Sequence, residues 1–418
     1  MHKYNQKKQI ILYLSYDGMT DNLGQSQVLP YLIGLSQKNL NFNIISFEKK
    51  EVYEAKKETI SQKLKNTSIV WTPKFYTKKP PVLSTLFDII VLFFAVKKQI
   101  KENNIVAIHC RSYITALIGL YFKKKKNIPF VFDMRGFWAD ERVEGNVWNL
   151  NKYIFKTIYT FFKNKEKEFL THSDSIISLT NNAKQEIIFW KLKNVNEDKI
   201  KIIPCCADLN FFSAQNFEQA SIRNLKTKLE ITDSDFVVSY LGSVGTWYML
   251  DEMLDFFNIL KKHKPNSKFL FITGDNPETI YNTALKHNIN PNELIIKKAD
   301  RNEVPLYILS SHISLFFIKP SFSKKASSPT KMGEILGLGM SLICNSGVGD
   351  VGEIMTPLSE AVINEFNNTE YERICSNLDT ILATDKTKLT NLAKQYYELN
   401  TGVDTYFSIY KALNLTND

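Results

Sequence analysis

The segment IVAIHCRSYITALIGLYFKKKKNIPFVFDMR, residues 105–135, decides the fold, because two apolar runs in it flank one helical pattern. The runs IVAIHCRS (residues 105–112) and IPFVFDMR (residues 128–135) are predicted to be strands. Their apolar residues are continuous rather than alternating, which is typical of strands that are covered on both faces. A strand, a helix and a second strand in this order predict two parallel strands that are joined by a helical crossover.

The same alternation extends along most of the chain. Further strands are predicted at residues 9–17, 41–48, 68–75, 175–180 and 199–206, with helices between most of them. After a weakly patterned segment the series restarts, with strands predicted at residues 236–243, 268–275, 293–299, 313–320 and 340–347. We therefore expect an α/β protein with two doubly wound domains, residues 1–206 and 207–395, facing a central cleft, and a last helical segment at residues 396–418. In such sheets ligands bind at the carboxyl ends of the strands.

Composition narrows the classes of function. The 418 residues carry 53 Lys and Arg against 43 Asp and Glu, a net charge of +10, and the excess is clustered at residues 123–126 and 152–167. Basic clusters favour a nucleic acid or an anionic membrane surface, and no nucleic-acid-binding motif accompanies them. The cysteine count of five is odd and includes no CxxC pair, which argues against disulfides and zinc and favours a cytoplasmic protein.

The segment SSPTKMGEILGLG, residues 327–339, predicts a helix whose start suits an anion. Ser328 fits the N-cap and Pro329 the first helical position, while two glycines fit the exit. Free N–H groups and a partial positive charge lie at a helix N-terminus, and Ser327, Thr330 and Lys331 add hydroxyls and an ammonium. The segment predicts a phosphate site; a well-capped helix with a solvated lysine is the alternative.

Other polar and glycine residues also fall where predicted strands end. They are Asp17, Gly18 and Gly24 after the first strand; Asp133 and Arg135 in the first half; and Gly242, Ser243, Thr246, Gly274 and Asp275 in the second half. Each glycine can be a simple turn residue, and Asp133 with Arg135 can be a structural ion pair. Their common position at one sheet edge favours ligand binding.

Three familiar motifs do not apply. No GxGxxG follows the first strand and no GxxxxGK[ST] is present, so neither a dinucleotide cofactor nor a P-loop is expected. The sequence Asp233-Ser234-Asp235 precedes an apolar strand instead of following one. We therefore interpret it as a loop, not as a metal site.

At this point the sequence resembles the family 4 glycosyltransferases, retaining enzymes of the GT-B fold. The resemblance covers almost the whole chain and rests on SYDGMTDNLGQSQVLPYL, FDMRGFWADERVE, IPCCADLNFF, YLGSVGTWYMLDEML, SSPTKMGEILGLG and NSGVGDVGE, in that order. It implies two Rossmann-like domains, the first on the acceptor side and the second holding a nucleotide-sugar donor, with the last helix crossing back to the first.

The resemblance also implies roles for individual residues. Glu334 would hydrogen-bond the ribose hydroxyls of the donor, and the helix start with Ser327, Ser328, Thr330 and Lys331 would face its diphosphate. Gly242 and Ser243, with Thr246 in the same turn, would let the backbone approach the phosphates. The base would lie near Gly274 and Asp275, and Gly24 would close over the donor from the first domain.

This chain departs from the family pattern at three places. The first of two family glutamates falls at Ala326, so Lys324 or Ser327 would replace its contact. The turn GSVGTWYML lacks the usual Arg and Lys, so Lys331 would supply one charge. Arg135 stands at or next to the place of a family histidine, where an arginine stabilises charge instead of acting as a base.

The expected function is retaining, metal-independent glycosyl transfer from a nucleoside-diphosphate sugar to a glycan or lipid-linked acceptor, in surface polysaccharide biosynthesis. Arg135, Lys331 and Glu334 are the expected catalytic residues. No cofactor, metal or nucleic acid is expected, and UDP is preferred over GDP in the donor. The alternatives are a sugar-nucleotide epimerase of the GT-B fold and a non-catalytic sugar-nucleotide-binding subunit. The lysines and aromatic residues at 152–167 are typical of a peripheral helix on the cytoplasmic face of a membrane. An amphipathic helix that packs on its own domain, with its lysines in water, is the alternative.

Overall fold

The chain forms two compact units in the computed structural model, which describes residues 8–80 and 82–415. The first unit comprises Met1–Pro204 with Leu399–Asp418, and the second comprises Cys205–Glu398. Each is built on one parallel sheet that is flanked by helices, so the expected α/β architecture is confirmed.

Among the described residues, the part of the first unit that ends at Pro204 contains seven strands and eight helices. The strands are β1 (Ile10–Ser15), β2 (Phe42–Glu48), β3 (Ile69–Phe75), β4 (Ile105–Arg111), β5 (Phe130–Asp133), β6 (Ser175–Ser178) and β7 (Ile200–Ile202). The helices are α1 (Asn22–Gln27), α2 (Leu29–Gln37), α3 (Lys50–Leu64), α4 (Leu83–Glu102), α5 (Ser112–Lys126), α6 (Trp138–Glu144), α7 (Tyr153–His172) and α8 (Asn181–Phe189).

The strand order of this sheet is β3-β2-β1-β4-β5-β6-β7. The chain therefore moves outward from β1 to β3 and returns through α4 to place β4 on the other side of β1. Such a reversal is the topological switch point of a doubly wound sheet, where the loops after neighbouring strands leave room for a ligand.

The second unit repeats this plan. Its strands are β8 (Phe236–Leu241), β9 (Ser267–Ile272), β10 (Leu294–Lys297), β11 (Ile313–Phe316), β12 (Leu342–Asn345) and β13 (Val362–Ile363), in the order β10-β9-β8-β11-β12-β13. Its helices are α9 (Gln219–Lys228), α10 (Leu250–His263), α11 (Pro277–Lys286), α12 (Val304–Leu309), α13 (Thr330–Gly337), α14 (Val351–Ile354), α15 (Asn368–Ser376), α16 (Leu378–Leu382) and α17 (Lys386–Tyr397). Its switch point lies between β8 and β11.

The last helix, α18 (Leu399–Ala412), belongs to the first unit. The Tyr410 hydroxyl lies 2.7 Å from Nδ1 of His109 on β4, and the Tyr406 hydroxyl donates to Oδ2 of Asp133 at 3.1 Å. All four side chains are buried. Because unpaired buried polar groups are costly, these contacts fix the position of α18 on the first sheet.

Some strand ends differ from the sequence prediction for backbone reasons. The run at residues 128–135 was expected to be one strand, but β5 ends at Asp133 because Arg135 and Gly136 have φ of 57° and 129°. These positive φ values turn the chain away from the sheet. The two-residue β13 was not predicted, since so short a run carries no periodic signal.

Candidate functional site

A tight turn follows β8 at the carboxyl edge of the second sheet. Gly242 has φ of 128°, a conformation that side chains rarely adopt, and a Cβ at this position would lie 2.8 Å from Nζ of Lys331. The Tyr240 hydroxyl donates to the carbonyl of Ser243. The positive φ therefore favours glycine at this position, and a side chain here would also require the Lys331 amine to move.

Lys331 is buried among aromatic rings. It projects from α13, is 8% exposed, and its Nζ lies 3.9 Å from the ring centre of Tyr248 and 4.5 Å from that of Tyr240. No carboxylate of the described residues forms a salt bridge with it. Cation–π contacts thus take the place of a counter-ion.

This burial changes the acidity of the amine. Desolvation lowers the pKa of Lys331 to about 7, with the charge of Glu334 opposing the shift. An amine with such a pKa gains its charge readily when an anion arrives, because an opposite charge favours the protonated form.

The helix that carries Lys331 starts one residue later than the sequence predicts. Ser328 is not the N-cap: α13 begins at Thr330, and its N-cap is Pro329, which has an extended backbone. The Ser328 hydroxyl instead accepts a hydrogen bond from the backbone N–H of Cys205 at 3.0 Å. Ser327, half-buried, precedes it with its N–H donated to the carbonyl of Lys324.

Glu334 lies one turn further along α13 and is 3% exposed. Its Oε1 accepts a hydrogen bond from Nη1 of Arg301 at 2.6 Å, and the Arg301 guanidinium stacks 4.8 Å from the ring centre of Phe212. Burial raises the pKa of Glu334, while Arg301 and then Lys331 oppose that shift. Arg301 thus favours the carboxylate form.

Sequence reasoning missed Arg301. It lies in the loop between β10 and α12. A basic residue just after a predicted strand could have indicated a ligand-binding residue. Its hydrogen bond to Glu334, 33 positions later in the sequence, could not be predicted from any periodic pattern.

The neighbouring loops add further predicted residues. Asp275, after β9, accepts a hydrogen bond from the N–H of Val244 at 2.6 Å and so holds the turn after β8. Thr246, in the same turn, has φ of 54°. Nothing lies within 4 Å of a Cβ built on Gly274, so its surroundings leave space for a ligand.

Lys324 supplies a second buried cation near this turn. Its Nζ lies 3.8 Å from the ring centre of Trp247, and its carbonyl accepts from the N–H of Gly349 at 2.7 Å. Ala326, where the family pattern has a glutamate, is buried in the same 3-10 turn, Ser323–Ala326. The turn therefore presents positive charge where the family pattern has negative charge.

Gly24 lies in the first unit and is a helical residue of α1, not part of an open glycine loop. A Cβ built there would collide with the carbonyl oxygen of Gly18. The segment before α1 is held by buried Glu48, which accepts from the N–H groups of Met19 and Thr20 at 2.8 and 3.1 Å. Gly24 is therefore required by packing within α1 and its preceding turn.

Arg135 also lies in the first unit, with a nearly buried side chain. Its Nη1 is 3.8 Å from Oδ1 of Asp133, and Nη1 of Arg111 is 3.8 Å from Oδ2. Burial by itself raises the pKa of Asp133, but Arg135, His109 and Arg111 together bring it below its usual range. Asp133 and Arg135 thus form the structural ion pair that the sequence predicted as the alternative to ligand binding.

Comparison with known sequences shows what this chain is similar to. Residues 34–211 match the sequence model of Glycosyltransferase Family 4. The predicted resemblance to the family 4 glycosyltransferases is confirmed over this segment. One relative is the alpha-monoglucosyldiacylglycerol synthase of Acholeplasma laidlawii, 24% identical over 200 residues. The match takes in 45% of this chain and 46% of that enzyme, so it spans about half the length of its curated relative.

Solved structures show the fold of this protein. The sucrose-phosphate synthase of Thermosynechococcus elongatus superimposes with a TM-score of 0.72 at 12% identity, covering 98% of this chain and 100% of that chain. Anabaena HepE, solved in complex with UDP and glucose, gives 0.70 at 11% identity, covering 96% and 99%. The predicted GT-B fold is confirmed.

The geometry at Gly242 predicts unequal effects of alanine at two glycines of one turn. Gly242→Ala should lower the free energy of unfolding by about 1–3 kcal/mol, because the backbone is strained for alanine and the new Cβ displaces Lys331. Gly245→Ala should be close to neutral, since nothing lies within 4 Å of its Cβ and its φ is not positive. Urea unfolding of both variants checks this; equal stabilities would contradict the assigned contact.

Proposed function

We propose that this protein is a retaining, metal-independent glycosyltransferase that moves a sugar from a nucleoside-diphosphate sugar to a glycan or lipid-linked acceptor. The donor would lie at the carboxyl edge of the second sheet. A role in the synthesis of a surface polysaccharide, on the cytoplasmic side of the membrane, is part of this proposal.

One observation carries it: α13 presents a buried amine and a buried carboxylate one turn apart. Lys331 contacts Gly242, where a diphosphate can approach the backbone, and Glu334 faces Arg301, which favours its charged form. A diphosphate needs positive charge and N–H donors, whereas a ribose diol needs a carboxylate acceptor.

The other predicted residues take matching places in the proposal. Ser243, Thr246, Ser327, Ser328 and Thr330 would offer N–H or hydroxyl groups to the phosphates. Gly274 and Asp275 would border the base. Lys324 would add charge near the transferred sugar, in place of the absent glutamate at Ala326.

In the proposed reaction the bond between the anomeric carbon and the diphosphate oxygen breaks, and its electron pair stays on that oxygen. Lys331 and the N–H groups stabilise the new charge; one such donor typically lowers a barrier by about 3–4 kcal/mol. The acceptor hydroxyl attacks from the same face, and its proton passes to the leaving phosphate. Configuration at the anomeric carbon is thereby retained without a protein nucleophile.

The first unit would hold the acceptor. Arg135 would stabilise charge there, although its pairing with Asp133 also gives it a structural role. Gly24 would contribute only through its packing against Gly18.

One structural neighbour and one sequence relative suggest the substrates of the proposed reaction. HepE was solved with UDP and glucose, and the Acholeplasma enzyme is by name a synthase of a glucosylated diacylglycerol. These names favour a UDP-sugar donor, with a GDP-sugar as the alternative, and a lipid-linked acceptor for this chain.

Donor binding tests the proposal directly. UDP-, GDP-, ADP- and CMP-sugars should be compared by thermal shift, and one of them at 100 times its Kd should add about 2.7 kcal/mol of stability. Glu334→Gln should abolish the shift while the protein stays folded. Glu278→Gln, an exposed glutamate on α11 of the same unit, is the matched control.

Product analysis then separates the alternatives. A new glycosidic bond with the configuration of the donor supports transfer with retention, and Lys331→Ala should abolish it. An epimerised nucleotide sugar would instead identify an epimerase. A donor shift with neither product nor slow donor hydrolysis would identify a binding subunit.

The pKa of Lys331 predicts a pH dependence of donor affinity. The free amine has a pKa of about 7, and a bound diphosphate raises that pKa, so binding above pH 7 takes up a proton. Affinity should therefore fall as pH rises from about 7 to about 8.5, by at most tenfold per pH unit, and level off below pH 7. Calorimetry in buffers of different ionisation enthalpy measures the proton; Lys331→Gln should show no uptake.

Removing Arg301 should weaken donor binding through Glu334. In Arg301→Gln the opposing charge is lost, the pKa of Glu334 rises further, and at neutral pH donor affinity should fall by roughly tenfold or more. Arg301→Lys keeps a cation and should restore part of the affinity. Unchanged affinity in Arg301→Gln would show that Glu334 does not need this partner.

A further inference from the structure

A cavity of about 260 Å³ lies at the amino edge of the second sheet. Its walls come from the residues that directly precede β11 and β12, from α9 and from the start of α17. The proposed donor site lies at the opposite, carboxyl edge of the same sheet, at the other end of α13, whose 8 residues span about 12 Å. We call this separate space the amino-edge cavity.

Buried hydrogen bonds hold the walls of the amino-edge cavity in place. The Ser311 hydroxyl donates to the carbonyl of Ile308 at 2.6 Å, and the Ser341 hydroxyl donates to the carbonyl of Ile381 at 2.9 Å. Gly339, which also lines the cavity, has φ of 67° and turns the chain out of α13. The cavity is therefore formed by fixed backbone and side chains, as ligand pockets usually are.

His312 gives this cavity a defined hydrogen-bond donor. Its Nδ1 accepts the N–H of Val237 at 2.9 Å, so in the neutral ring the proton lies on Nε2. Desolvation, together with the charge of Lys226, lowers the pKa of His312, which favours this neutral form. The ring stacks on Phe236 with 5.0 Å between ring centres. No hydrogen bond within the described residues uses Nε2, so this donor is left for a ligand.

The lining of the cavity carries positive charge and no negative charge. Lys386 lines it, and its amine forms no salt bridge within the described part of the chain. None of the lining residues is Asp or Glu. The neighbouring Asp385 is the N-cap of α17, where its side chain accepts the N–H of Thr387 at 2.8 Å. An anion in the cavity would thus meet an ammonium and an N–H group, with no carboxylate in the wall.

The remaining wall is largely apolar. Ile222 and Met340 are buried there, and Leu309 and Leu382 are partly buried. Apolar walls with a few polar groups are typical of sites for small molecules, which usually measure about 300–1,000 Å³. A space of about 260 Å³ therefore suits a ligand smaller than a nucleotide sugar, and it is far larger than the roughly 30 Å³ that one water occupies.

We propose that the amino-edge cavity binds a small organic anion, a phosphate or a carboxylate attached to an apolar body. The anionic group would accept a hydrogen bond from Nε2 of His312 and contact the Lys386 amine. The apolar body would lie against Ile222, Met340 and Leu382. This site is distinct from the proposed donor site and does not depend on the proposed glycosyl transfer.

The polar groups of the wall favour such an anion over a neutral sugar. The Ser311 and Ser341 hydroxyls already donate to backbone carbonyls. A sugar would bring several hydroxyl groups against a mainly apolar wall, and each hydroxyl that lost water without finding a partner would weaken binding. An organic anion needs polar partners at one end only.

Histidine NMR of the full chain tests the proposal. The ring carbons of the 6 histidines are labelled with ¹³C, and the His312 signal is assigned by its loss in His312→Gln. Phenyl phosphate and benzoate are the probes, and at least one of them should shift this signal saturably. Benzyl alcohol lacks the charge and inorganic phosphate lacks the apolar body, so each should bind at least about tenfold more weakly than that probe.

Two variants test the assigned contacts. Lys386→Gln removes the ammonium and should weaken binding of the probe about tenfold. Thr384→Trp, in the cavity wall, keeps the charge but fills the space and should abolish binding. Lys286→Gln makes the same change in charge at an exposed position of α11, so it should bind like the wild type. All three variants should keep the melting temperature of the wild type.

Lys331→Gln separates this cavity from the proposed donor site, which also favours anions. The shift of His312 should survive in this variant. Loss of probe binding in Lys331→Gln would place the anion at the donor site and overturn the proposal. The proposal also fails if neither probe shifts His312, if benzyl alcohol binds equally well, or if both cavity variants bind normally. Lys386→Gln should keep any thermal shift given by a nucleotide sugar, so a failure here is distinguishable from a failure of the proposed enzyme.

Discussion

The Lys331 amine is buried beside Gly242 at the switch point of the second sheet. Removing an ammonium from water is costly unless it finds compensation. Here the compensation is aromatic, from Tyr240 and Tyr248, and the lowered pKa shows that it is incomplete. A buried cation that is incompletely compensated favours the binding of an anion, and the positive φ of Gly242 turns the backbone beside the amine.

The same helix separates two opposite charges with different partners. Lys331 and Glu334 are three residues apart, close enough to influence each other's pKa, yet they form no salt bridge. Arg301 takes Glu334, so Lys331 is left for a ligand. A direct salt bridge between Lys331 and Glu334 would neutralise both charges. Because Arg301 pairs with Glu334 instead, it also leaves the Lys331 amine without a carboxylate partner.

Local patterns predicted much of this arrangement, for identifiable reasons. Continuous apolar runs gave the parallel strands, and the rule for strand ends placed Gly242, Asp275 and Lys331 at one edge, where the structure has them. Arg301 was not predicted, because a contact between residues 33 positions apart produces no periodic pattern in the sequence. The capping role of Ser328 was wrong because its hydroxyl is used by Cys205, a tertiary contact that no local rule contains.

The α4 helix shows a deeper limit of pattern reading. Apolar residues surround most of this helix, so its sequence pattern alone does not say which face turns inward. The answer depends on Asp88, a single acid whose hydrogen bonds to Tyr16 and Thr77 hold the polar side of the helix against the sheet. A core that satisfies a carboxylate while leaving Leu86, Phe87 and Phe94 in solvent is stable only if that carboxylate is fully hydrogen-bonded. Such a helix forgoes about 1.5–3 kcal/mol for each large apolar side chain left exposed.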